Sequence, residues 1–272
     1  MNDLYLVPFD FTPITQRALE YAIRLTRTRQ DRIMLLHIVK SESKIEEAEK
    51  ELAKVLEALP NGEGERVTYK ATVGNVFEDI SKVGHITEAT SIIMGTHGAM
   101  GLQKLFGSNA LKVVSSSEIP FIITQDPHSF SEIKKIVMPF SYAKETIQIV
   151  QFATAIAKKF ESSIDLVGYH NTDEWLEKDM KVNQAIMRRT LQENGVEHSI
   201  VNIPGGKHYQ KELIEYAEGA NADLVATAYF QESIIPALAG SFLQDLITNP
   251  LNIPVLTVNA HTLGKMNTAI VY

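Results

Sequence analysis

The chain has no cysteine among its 272 residues. That excludes a disulfide framework, thiolate-bound zinc, iron–sulfur clusters and a cysteine nucleophile. It also has no apolar run approaching the ~18 residues that would cross a bilayer. Cations are in the minority: 26 Lys and Arg face 33 Asp and Glu, for a formal charge of -7. No basic excess is available to release counterions from a phosphate backbone, so bulk nucleic-acid binding is not expected. The opening MNDLYLVPFDFTP lacks a basic n-region, a long apolar stretch and a small-residue cleavage site, so a cytoplasmic location is expected. His37, His85, His97, His128, His170, His198, His208 and His261 form neither HExxH nor a close ligand cluster, so no metal site is expected. With no G-x-S-x-G elbow, acyl hydrolysis has no nucleophile.

What the chain does have is a repeat. LYLVPFD at 4–10 returns as KIVMPFS at 135–141, TQRALEYAIRL from Thr15 aligns with TIQIVQFATAI from Thr146, and RIMLLHI at 32–38 aligns with SIDLVGY at 163–169. Farther on, SIIMGT matches DLVATA, Gly107-Ser108 matches Gly240-Ser241, and EIPFIIT matches NIPVLTV. Six blocks in the same order indicate two copies of one domain, and the period is too long for a solenoid. The expected boundaries are 1–127 and 132–260, with the polar DPHSFSE as the linker. A chain of this length suggests two domains and buries about 70–75% of its unfolded surface on folding.

Within each copy strands and helices alternate. LYLVPF reads as a strand buried on both faces, and RIMLLHIV, VTYKATV, SIIMG and PFIIT read as the further strands. Residues 13–27 place Ala18, Leu19, Ala22, Ile23 and Leu25 on one helical face. Ser43 with Glu46 predicts a capping box ahead of a helix whose Ile45, Ala48, Leu52, Val55, Leu56 and Leu59 point inward, and Asn75 with Glu78 predicts the next cap. The alternation implies an α/β fold with a parallel sheet covered on both sides. Residues 169–187, including Trp175 and Met180, depart most from the first copy and predict a variable helical insertion.

Open parallel sheets bind ligands beyond the carboxyl ends of their strands. In the first copy those ends carry Asp10, His37 with Ile38, Val73-Gly74-Asn75 and the stretch MGTHGAMGLQKLFGSNA at 94–110. Its glycines permit close backbone approach, and Gly107-Ser108-Asn109 opens a helix whose first N–H groups attract anions. With Thr96 and Ser108 hydroxyls this describes a phosphate cradle, and Asp10 is an acceptor for a ribose hydroxyl. The same residues also read as ordinary turn and cap chemistry. They match neither GxGxxG nor the P-loop pattern.

VPFDFT, LLHIV, VGN and MGTHG…GSNA…IPFII resemble the universal stress protein family, and the resemblance spans both copies. It implies two Rossmann-like (adenine nucleotide alpha hydrolase-like) domains, each a five-stranded parallel sheet of order 3-2-1-4-5. Many members bind ATP through Gly-x2-Gly-x9-Gly-(Ser/Thr); others bind no nucleotide. Here eight residues, not nine, separate Gly98 from Gly107. Carried over position by position, Asp10 binds ribose or the adenine side, Pro8 and Phe9 shape the pocket wall, and Ile38 contacts adenine. Met94 and Gly95 line the ribose and phosphate entrance, while Gly98, Gly107, Ser108, Asn109 and Ala110 hold phosphates. In the second copy Asp10 becomes Ser141, Gly95 becomes Thr227 and Gly98 becomes Phe230, so no ATP site of the family's kind is expected there. The family's dimer edge implies that IPFII (119–123) and IPVLTV (253–258) pair within the chain as a pseudo-dimer, with a homodimer as a further step.

The reading taken forward is a stress-response protein whose first domain binds ATP, ADP or AMP, with or without Mg²⁺, without robust catalysis. The alternatives are an interaction protein of the same fold that binds no nucleotide, and a slow ATPase.

Overall fold

The computed structural model describes residues 3–60, 62–96, 105–125, 132–206, 208–230 and 236–260, with the backbone alone at 105–109 and 236–241. The first half contains β1 (Leu4–Pro8), α1 (Pro13–Leu25), β2 (Arg32–Val39), α2 (Ile45–Glu57), β3 (Val67–Val73), α3 (Val76–Ile86), β4 (Ser91–Thr96), α4 (Leu105–Ser115) and β5 (Phe121–Gln125). The second half repeats the order as β6 (Lys135–Pro139), α5 (Val150–Phe160), β7 (Ser163–Tyr169), α6 (Glu174–Glu193), β8 (His198–Ile203), α7 (Tyr209–Gly219), β9 (Leu224–Tyr229), α8 (Pro236–Ile247) and β10 (Val255–Asn259).

All ten strands join one sheet in the order β3-β2-β1-β4-β5-β10-β9-β6-β7-β8. Each half is thus a parallel sheet of order 3-2-1-4-5. The halves meet at a single antiparallel seam, where Val255, Leu256 and Thr257 oppose Ile123, Ile122 and Phe121. These are the two apolar edges that the resemblance implies as a pseudo-dimer pair. The seam leaves neither of them as an open edge to template association.

Alternation along the strands divides the core in two. Tyr5 and Val7 of β1 face the layer of α1, α2, α5 and α6, while Leu6 faces that of α3, α4, α7 and α8. Both layers run across the seam, since Ile122 and Leu256 belong to one and Phe121, Ile123 and Val255 to the other.

Local signals are partly revised. Helix α1 begins with Pro13 at its first position, where a missing N–H costs nothing. Its counterpart lacks that proline and opens as a 3-10 turn, Lys144–Ile149, before α5. The expected Ser43–Glu46 capping box does not form: Ser43 lies inside a 3-10 turn, Glu42–Lys44, and its hydroxyl pairs with that of Ser41 at 3.0 Å. Asn75 does cap α3, accepting from the Phe77 N–H at 2.9 Å. The reciprocal carboxylate is Asp79 rather than Glu78; it accepts from the Asn75 N–H at 2.6 Å. The divergent stretch forms α6, twenty residues long, with Trp175 78% exposed.

Candidate functional site

The strand order reverses between β1 and β4, so the carboxyl ends of β1, β2 and β4 frame the cleft that such sheets use for ligands. Strand register brings most of the expected residues together there. Pro8 lies opposite Leu36 of β2, and Leu6 opposite Ile92 of β4. Asp10, Ile38, Met94 and Gly95 therefore reach the same rim from three adjacent strands.

Asp10 is exposed and held from one side. Its Oδ1 accepts from the Thr12 N–H at 3.1 Å, the Thr12 hydroxyl at 2.5 Å and the Thr15 hydroxyl at 3.0 Å. An Asx turn of this kind fixes the carboxylate without consuming it. All three bonds go to Oδ1, so Oδ2 remains to accept from a sugar hydroxyl, and the residue fits that role. Phe9 is buried, and its carbonyl accepts from His37 Nδ1 at 2.7 Å, which makes Nδ1 the protonated nitrogen. His37 is thereby a bonded wall residue.

Sequence reasoning missed Phe11. It adopts φ +66, a left-handed conformation that a bulky residue rarely takes. It is 40% exposed, with its ring 4.8 Å from His37 and 5.5 Å from Phe9. A strained, half-open aromatic beside Asp10 offers a stacking face at the rim. Nothing in the sequence signals a positive φ at a phenylalanine.

The glycine-rich stretch divides. A Cβ at Gly95 would lie 2.5 Å from both Cγ2 and the carbonyl oxygen of Ile14, so this glycine lets α1 lie against β4. Gly98 and His97 lie outside the described residues, as does Lys104. Gly107, Ser108 and Asn109 fall in the opening turns of α4, whose first residue is Leu105. The uncommitted N–H donors of a helix are those of its first turn, here ending at Gly107. Ala110 is 3% exposed and packs in the core beside Val113 and Val114. The Lys112 ammonium lies 5.5 Å from the centre of the Phe77 ring. Ser115 and Ser116 donate back to the carbonyls of Lys112 and Val113, the ordinary finish of a helix. Glu46, Glu47 and Glu51 pair with Lys50, Lys44 and Lys54 on the open face of α2. Among the described residues no three His, Asp or Glu side chains gather as a metal site, and no helix is long and apolar enough to cross a membrane.

The fold is shared with solved proteins. A universal stress protein from Archaeoglobus fulgidus superposes with a TM-score of 0.71 at 19% identity, covering 94% of this chain and 98% of that one. A functionally unknown protein from Pseudomonas aeruginosa superposes at 0.66 and 15% identity, covering 98% of both chains. At such identities the likeness is one of fold. No curated protein is significantly similar in sequence to this chain. The family description "Universal stress protein family" does match in sequence, over residues 1–125. The first 125 residues are thus similar in sequence to the universal stress protein family.

Proposed function

We propose that this is a stress-response protein whose first half binds an adenine nucleotide, ATP or its ADP or AMP forms, at the rim framed by β1, β2 and β4, without robust turnover. The observation that carries the reading is Asp10: an exposed carboxylate just after β1, where the strand order reverses, clamped by Thr12 and Thr15 through Oδ1 alone. Ile38 and Phe11 supply apolar surface for a base. The first turn of α4, up to the Gly107 N–H, supplies donors for phosphate oxygens. On this reading the nucleotide acts as a ligand that sets conformation or partner choice.

The reading is tested on the protein as purified, without added nucleotide. Denaturation, removal of the precipitate and anion exchange of the supernatant are expected to release about one equivalent of adenine nucleotide per chain. An empty supernatant, followed by no thermal shift in millimolar ATP and Mg²⁺, would favour the interaction protein instead. Asp10→Asn sharpens the test, because an amide oxygen can still accept from Thr12 while the second position becomes a donor. Nucleotide affinity is expected to fall about 10- to 100-fold, the loss of one charge-assisted hydrogen bond, with the unfolding midpoint unchanged.

A further inference from the structure

The second half, where no ATP site of the family's kind is expected, is hollow at its own strand ends. Beyond β6, β7 and β9 lies a cavity of 570 Å³, within the range of small-molecule sites. It occupies the place that the Asp10 rim occupies in the first half, but its chemistry differs. Six aromatic rings line it: Phe140, Tyr169, Tyr209, Tyr229, Phe230 and Phe242. None of the described residues lining it is charged.

The rings are held in place by the backbone. A Cβ at Gly168 would lie 2.5 Å from the Phe140 ring, and one at Gly205 would lie 2.8 Å from the ring of Tyr169. Both glycines are thus spaces that an aromatic ring fills. Tyr209 sits 4.8 Å from Tyr169 at a tilt and stacks with Phe242 at 6.0 Å. The Tyr209 hydroxyl is buried without a hydrogen-bond partner among the described residues, and burial raises its pKa, so it stays neutral. The loop after β6 is pinned as well: Asn183 of α6 donates to the carbonyls of Ser141 and Ala143 at 2.9 and 3.1 Å. A cavity so braced is preformed rather than collapsed.

Three substitutions between the copies replace polar or open positions of the first rim. Ser141 removes the charge of Asp10, Tyr169 replaces Ile38, and Phe230 stands where the first copy has Gly98. Helix α8 begins with Pro236, which has no N–H to offer an anion. A carboxylate has been lost and aromatic surface gained. We propose that the second half is a binding site for a flat, uncharged aromatic small molecule, held between the rings of Tyr169, Phe140 and Phe230.

The test uses 2-naphthol and its saturated counterpart 2-decalol, titrated calorimetrically into the full chain. The expected result is one 2-naphthol per chain, with 2-decalol bound at least tenfold more weakly because it has no π face to stack. Millimolar ATP is expected not to displace it. Phe230→Ala should weaken 2-naphthol at least tenfold, and Gln210→Trp, which fills the cavity from the first turn of α7, should do the same. Both positions are only half-buried, so thermal midpoints serve as the folding control. Equal affinity for the two probes, displacement by ATP, indifference to both substitutions or no saturable binding would each overturn the proposal. Nucleotide release from the purified protein reports on the first half separately, so the two sites stand or fall apart.

Discussion

Replacing Lys159 by methionine is expected to cost the fold about 3–5 kcal/mol at neutral pH, the penalty for stranding buried carboxylates without their cation. Lys159 belongs to α5 in the second half, yet its ammonium reaches the first. It donates to Asp31 Oδ2 at 2.9 Å, to the Tyr5 hydroxyl at 2.8 Å and to Asp3 Oδ2. Three acceptors match the three N–H bonds of an ammonium. Only 16% of the Lys159 side chain is exposed and none of Asp31, so solvent screening is weak. Burial alone would raise the pKa of Asp31. The Lys159 ammonium and the N–H groups of Thr28, Arg27 and Asp3 outweigh burial and hold it well below the usual carboxylate range.

The sign with pH follows. A depressed folded-state pKa gives stability that is fully present above the unfolded value, about 3.9, and is lost as pH falls through the folded value. Without Lys159 the three N–H groups remain but the ammonium no longer opposes burial, so Asp31 takes up its proton at a higher pH than in the parent. The gap between parent and Lys159→Met in urea unfolding should therefore be widest near neutral pH and narrow as pH falls through the variant's Asp31 titration towards the parent's. A uniform loss under ~1 kcal/mol would place this cluster with ordinary surface pairs. Arg27 reinforces the same contact, with its guanidinium 4.6 Å over the Phe160 ring and 2.9 Å from Glu132.

None of that contact was legible in the sequence. Lys159 and Asp31 are 128 residues apart, and no spacing rule links a helix-end lysine in one copy to a turn aspartate in the other. What could be read were features with a short period: apolar strand runs, the inward face of α1, and a repeat whose two fifth strands had to be covered. Those gave the alternating strands and helices; the sheet order and its central seam followed from the resemblance to the family. Caps were half legible, because Ser43 and Asn75 both fit the pattern but only Asn75 has the backbone to use it. The Asp10 rim was legible from its place after β1. Phe11 was not, since its role comes from a backbone angle. The aromatic cavity was visible only as a loss, Phe230 for Gly98. Its rings come from β7, β9, α7 and α8, and their convergence is a tertiary fact.

Gly95 carries a packing constraint of its own besides the ligand role that the resemblance implies. By resemblance it lines a nucleotide entrance, but in the fold its missing side chain is where α1 crosses β4. Gly95→Ala would place a methyl 2.5 Å from both the side chain and the carbonyl of Ile14, and 3.0 Å from its carbonyl carbon. A flexible side chain could move aside; the carbonyl belongs to the first turn of α1 and moves only with the helix. Overpacking of this kind costs about 1–3 kcal/mol, and the upper end is expected because Ile14 is itself buried. The loss should appear in nucleotide-free protein by urea unfolding, with the slope unchanged. Ile14→Ala in the same chain removes Cγ2 but leaves the carbonyl, so it should recover only part of the loss attributable to Gly95→Ala. Full recovery would locate the whole clash in the side chain. If instead Gly95→Ala left the nucleotide-free fold untouched and altered only nucleotide affinity, the glycine would be there for the ligand and not for α1.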